Sequence, residues 1–185
     1  MNILSRDGDQ IVDLKQAKAN SRVTKSAEDS NFELWLEMAH QYVENYTNCV
    51  LQQSTCQNEF YGTEINLNTP VRGIVSVKTF DDDGVETIVT DYKLTKTHNY
   101  GVRITLDSCP ENYGIIEYIA GFGEFTATTE LPVNEGTIEP YAQHKNAILL
   151  LTNHFWENRG IVTDFNKYEL PIGIHNIMNQ VKKYL

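Results

Sequence analysis

Two long stretches of the chain repeat their apolar residues at helical spacing, and the stretch between them does not. In residues 29–48, Phe32, Trp35, Leu36, Ala39, Tyr42, Val43 and Tyr46 form one stripe, with Glu33, Glu37, Gln41 and Glu44 opposite. The pattern predicts a helix, entered through Ser26 and Asp29, which resemble a capping box. A shorter helix is predicted upstream, from an Asp13 cap to about Asn20. Near the end, AILLLTNHFWENRG predicts a buried helix that starts at Pro140 and stops at Gly160. Its stripe is Tyr141, His144, Ile148, Leu151 and Phe155, widened by Leu149, Leu150 and Trp156. Apolar residues over so much of its circumference predict burial on more than one side. A last helix is expected from about Ile172 to Tyr184, presenting Ile174, Ile177, Met178, Val181 and Leu185.

Between residues 50 and 123 the period falls to two. VLQQSTCQNEF and INLNTPV alternate weakly, and Ile74–Phe80 reads as a strand. Asp81-Asp82-Asp83-Gly84 turns it back into Val85–Val89, and Tyr92–Thr95, Val102–Leu106 and Ile115–Ala120 are further short strands. Short strands with local turns predict an antiparallel sheet. Gly121-Phe122-Gly123 ends the last of them, and residues 124–139, rich in Thr, Glu and Gly, read as a long loop. The expected fold is therefore α+β: mainly a helical bundle with a small inserted antiparallel sheet. The expected parts of this single domain are N-terminal helices at 1–49, the sheet at 50–123, the loop at 124–139 and C-terminal helices at 140–185.

A chain of 185 residues can bury a core without disulfides or metal. No apolar run approaches the roughly 18 residues of a membrane span, and the first residues lack the features of a signal peptide. Cys49, Cys56 and Cys109 are odd in number and nowhere spaced C-x-x-C, which fits reduced thiols. Net charge is −10. Residues 1–26 carry net +2, so the remainder carries −12; residues 111–139 hold six glutamates and no Lys or Arg. Phosphate backbones are bound by cations, so this balance argues against a nucleic-acid binder and suits a surface that DNA slides past.

Catalytic and metal motifs fail on inspection. An EF-hand aligned on Gly84 needs acids where Thr79 and Thr90 stand. Gly121-x-Gly123 has Thr126 where a dinucleotide loop needs its third glycine. None of the five histidines pairs with another at i,i+4, and no G-x-S-x-G is present. No catalytic residue, cofactor site or metal site is expected, and the chain is read as a non-enzyme.

Two blocks at opposite ends resemble one family. DLKQAKANSRVTKSAEDSNFELWLEMAHQYVENYT is similar to the opening of the head–tail connector (adaptor, or head-completion) proteins of tailed bacteriophages. The matching residues are Leu14, Ala17, Lys18, Arg22, Val23, Glu28, Asp29, Ala39, Val43, Glu44, Tyr46 and Thr47. AILLLTNHFWENRGIV followed by ELPIGIHNIM resembles the family's C-terminal block through Ala147–Leu151, His154, Trp156, Glu157, Asn158, Arg159, Leu170, Pro171 and Gly173. NTPVRGIVSVKTFDDDG and YIAGFGE match between them. The chain departs in residues 124–138, longer than the family's usual loop, and at Asn153, where an apolar residue or alanine is common.

The resemblance implies a structural virion protein of the neck, assembled in the bacterial cytoplasm. About twelve identical copies would form a ring under the portal, extend the DNA channel and meet the next tail or stopper component. Its implied partners are its own copies, the portal and that downstream protein, with DNA passing unbound and no membrane. Candidate subunit or portal contacts are Trp156, Glu157, Asn158, Arg159, Ile174, Ile177, Met178, Val181, Tyr184 and Leu185; candidate loop contacts are Phe122, Glu124 and Phe125. The alternatives are another neck protein, such as a stopper, and a small-ligand enzyme using the loop as a lid.

Overall fold

A computed structural model describes residues 2–125, 131–158 and 171–182. The chain divides into two compact units. Among the described residues, one comprises residues 2–9 and 52–139 and is built of strands. The other comprises residues 10–51 and 140–182 and is helical.

In the helical unit, α1 (Leu14–Asn20) starts at Asp13, whose carboxylate accepts from the Gln16 amide at 2.7 Å. The Gln16 side chain accepts in return from the Asp13 amide, completing a capping box. The expected box at Ser26 does not form: Ser26–Glu28 is a turn of 3-10 helix, and no side chain caps α2 (Asp29–Thr47). The Lys18 ammonium ties the two helices by pairing with Asp29. Phe32, Leu36, Ala39 and Val43 are buried as the stripe predicts. Glu44 corrects the expected polar face, because it is buried too: its carboxylate accepts from the Leu51 amide at 2.8 Å where the chain leaves α2. α3 (Ala142–Glu157) buries His144, Ala147, Ile148, Leu151 and Thr152 against α2, whereas Leu150 is exposed. α4 (Ile172–Asn179) packs on α3 and α2.

The strand unit holds a six-stranded antiparallel sheet in the order β1 (Asn2–Arg6), β2 (Ser54–Phe60), β8 (Tyr113–Ala120), β4 (Val71–Phe80), β10 (Leu131–Pro132). β5 (Glu86–Ile88) pairs with the far end of β4. The turn between them has Gly84 at φ +80° and the Val85 amide on the Asp81 carboxylate at 2.7 Å, so Asp81 shapes a hairpin. A three-stranded sheet, β3 (Glu64–Leu67), β7 (Val102–Leu106) and β6 (Tyr92–Lys96), and a ribbon of β9 (Gly123–Phe125) with β11 (Gly136–Ile138) complete the unit. β8 alternates cleanly, burying Gly114, Ile116, Tyr118 and Ala120. Gly114 must lack a side chain, since a Cβ there would lie 2.1 Å from the Phe60 ring opposite it.

The expectation of a mainly helical bundle with a small sheet is therefore corrected: helix and strand each take about 34% of the described residues. The shortfall came from the shortest strands. β1 occupies a segment assigned to the N-terminal helices, and β9, β10 and β11 occupy the stretch read as a loop. β9, β10 and β11, of two or three residues, carry too few positions to display a period, and β1 and β10 are set by partners far along the chain.

Candidate assembly surface

Trp156, Ile174 and Met178, among the C-terminal residues singled out in the sequence, pack within the helical unit itself. Trp156 packs its ring 4.9 Å from Phe32 and 5.7 Å, edge-on, from Trp35, and Phe32 and Trp35 meet at 5.5 Å. This aromatic trio joins the end of α3 to the start of α2. Glu157 and Asn158 are exposed. Glu157 accepts from the Asn153 amide group at 2.9 Å, and Asn158 donates to the His154 carbonyl at 2.8 Å, so both serve the last turn of α3. Asn153 thus spends its departure from the family pattern on a hydrogen bond one turn along.

On α4, Ile174 and Met178 are buried one turn apart and Ile177 is half-buried, and Val181 is buried in the turn that follows the helix. Tyr46 holds the helix from α2, donating to Asn179 at 2.9 Å, with its ring 5.4 Å from His175 and 4.7 Å from the Lys182 ammonium. Outside the described residues lie Arg159, Tyr184 and Leu185.

In the strand unit, Phe122 and Phe125 are buried and Glu124 is exposed. They are organised by a residue the sequence reading passed over, Arg72. Its neighbours Val71 and Gly73 pair with the consecutive residues Ala120 and Ile119, so Arg72 is the extra residue of a β-bulge. A bulge re-aims the side chain it carries. Arg72 is fully buried, donates to the carbonyls of Gly123 and, at 3.2 Å, Asn134, and stands 5.6 Å from the Phe125 ring. Burial pushes its pKa down, and the nearby Tyr100 opposes that. Asn134 adds bonds to the carbonyls of Val71 (2.7 Å) and Tyr100 (3.2 Å). The node fastens β9, β4, the 98–101 turn and the turn before β11 together. Only an arginine preceding a bulge glycine hinted at it in the sequence.

Chemistry of the catalytic kind finds little to build on. A cleft of about 500 Å³ lies between the β4–β5 hairpin and residues 106–111, and its rim is acidic through Asp81, Asp91, Asp107 and Glu111. Among the described residues no three His, Cys, Asp or Glu side chains are placed to hold a metal ion. None of their helices is long and apolar enough to cross a membrane.

The fold as a whole has close counterparts. It is similar to a chain in the neck of an empty gene transfer agent (GTA) particle, computed with C6 symmetry: TM-score 0.70 and 18% identity, over 100% of this chain and 97% of that one. This is the fold of a gene transfer agent neck chain. A second match is to the neck of the native GTA particle computed with C12 symmetry, with TM-score 0.62 and 16% identity over 98% and 97% of the two chains. A third is to the virion of the native particle, with TM-score 0.64 and 18% identity over 95% and 91%. No protein-family model matches the sequence, and no curated protein matches it.

What the helical unit leaves outward is therefore the candidate surface. On α2, Leu34 and Met38 are 55% and 46% exposed, on the side away from the buried stripe. Exposed Glu33 and Glu37 run beside them. Leu150 on α3 and Ile172 at the start of α4 are exposed as well. On α1 the exposed residues include Lys15 and Ala19, followed by exposed Arg22.

Proposed function

We propose that this chain is a structural neck protein of a phage-like particle, forming an adaptor ring beneath the portal that extends the DNA channel and joins capsid to tail. One observation carries the reading: the chain matches, end to end, chains solved within particle necks to which six- and twelve-fold symmetry was applied. Cyclic repetition of one subunit requires two different complementary surfaces on each copy, and the helical unit offers outward groups of opposite charge. The acidic balance of −12 beyond residue 26 suits a channel wall that DNA passes without sticking. The portal on one side and a stopper or tail protein on the other are the partners this role requires.

The test is deletion of the gene from cells that make the particle, followed by microscopy of purified particles. Heads and tails should accumulate unjoined, and re-expression should restore joined particles with a ring of this chain at the neck. Joined particles of normal yield in the deletion strain, or purified particles that lack the chain, would overturn the proposal.

A further inference from the structure

Two outward faces of the helical unit match in charge without meeting inside one copy. On α2, Leu34 and Met38 stand one turn apart, more than two-fifths exposed each, with Glu33 and Glu37 forming an acidic ridge beside them. Among the described residues no cation lies within ion-pair distance of either glutamate. On α1, Lys15 and Ala19 are exposed one turn apart, and Arg22 is exposed just beyond the helix end; neither cation has a carboxylate partner among the described residues. The methylene stems of such cations cover apolar surface while their heads stay polar.

Arg22 has a further peculiarity. The Arg22 and Val23 amides donate to the Ala19 and Lys18 carbonyls at 3.2 and 2.9 Å, a helix ending in which the left-handed position is usually glycine. Here Arg22 holds it, at φ +55°.

We infer that the partner of each face is a second copy of this chain: Leu34 and Met38 of one copy seat on the Lys15–Ala19–Arg22 face of the next, with Glu33 and Glu37 opposite the two cations. The inference rests on the ring reading above and deepens it. Because donor and acceptor faces differ, each copy uses one toward each neighbour, and the contact is the heterologous kind that closes into a ring. A contact of α2 with its own equivalent is disfavoured, since it would set four glutamates against one another.

The test uses the full-length chain with the exposed thiol removed by Cys109→Ser. With Ala19→Cys and Met38→Cys together, mild oxidation should give a ladder of disulfide-linked multimers, while either cysteine alone gives no crosslink. Glu33→Lys with Glu37→Lys should weaken ring assembly about tenfold or more, as should Lys15→Glu with Arg22→Glu, and combining the four should restore it. Arg22→Gly separates contact from folding. It relieves the left-handed backbone and should raise the thermal midpoint of the free chain while lowering assembly. Rings that form normally yet give no ladder, or that ignore these charge reversals, overturn this interface and leave the ring reading standing. A wild-type chain that forms no ring, alone or in particles, overturns both.

Discussion

Arg72 is the residue on which the strand unit's irregular half depends. It is a fully buried cation whose recorded hydrogen bonds go to two carbonyls, those of Gly123 and Asn134. Charge-assisted bonds of this kind are worth more than neutral ones, and losing the donor leaves buried acceptors unmet. Arg72→Met keeps the volume and the apolar stem, so it isolates that effect. It should destabilise the chain by about 2 kcal/mol or more in urea unfolding. Arg72→Lys should not restore the loss, because one ammonium does not reproduce the two-armed guanidinium.

Tyr118 supplies the pH dependence. Burial, and secondarily Cys56, raise its phenol well above the usual value. With a native pKa above the unfolded value of about 10, the folded state holds the proton more tightly. The associated stability is fully present below about pH 10 and falls as pH rises beyond it. Tyr118→Phe should therefore flatten part of the alkaline loss of thermal midpoint. It gives up only a hydroxyl contact to Asn58 at 3.4 Å, so the midpoint at pH 7 should hardly move.

Among the elements, the helices were legible because their apolar residues recur over three or more turns. Ile174 and Met178 were readable as one face of α4, but not the fact that this face is filled by its own unit. Burial there predicts a sharp contrast along one helix. Met178→Ala should cost about 2–4 kcal/mol through lost burial and the cavity left behind. Ile172→Ala, at a position 78% exposed, should stay within about 0.5 kcal/mol. Equal effects in denaturant titrations would refute the packing of α4. Leu34 and Met38 were missed for a related reason: a reading that looks for the stripe discards apolar residues standing off it.

At the scale of the whole molecule, charge and fold bear on function. The glutamates that crowd residues 111–139 include exposed Glu111, Glu124, Glu135 and Glu139, while the exposed cations of residues 1–26 include Lys15, Arg22 and Lys25. An uneven field of this kind disfavours anionic partners in one region and favours them in another. The matches to gene transfer agent particles extend over 95–100% of the chain at 16–18% identity. The fold is thus shared where little of the sequence is, which follows if a pattern of burial, not particular side chains, holds it.

The amino-acid order by itself determined the helices α1, α2 and α3, the strands β2 to β8 and the Asp81–Gly84 hairpin. In most of these, local period or turn chemistry and the final environment agree, while β5 and β6 stay largely exposed. Only the tertiary structure decided β1 and β10, whose partners lie far away, as Asn2 opposite Gln57 and Leu131 opposite Ile74 do, and the short β9–β11 ribbon. It also decided that Glu44 and Arg72 go inside and that Leu34 and Met38 stay out. Arg72 is buried where the carbonyls of Gly123 and Asn134, more than fifty residues along the chain, converge on it, and that convergence is a property of the folded chain that no local window contains.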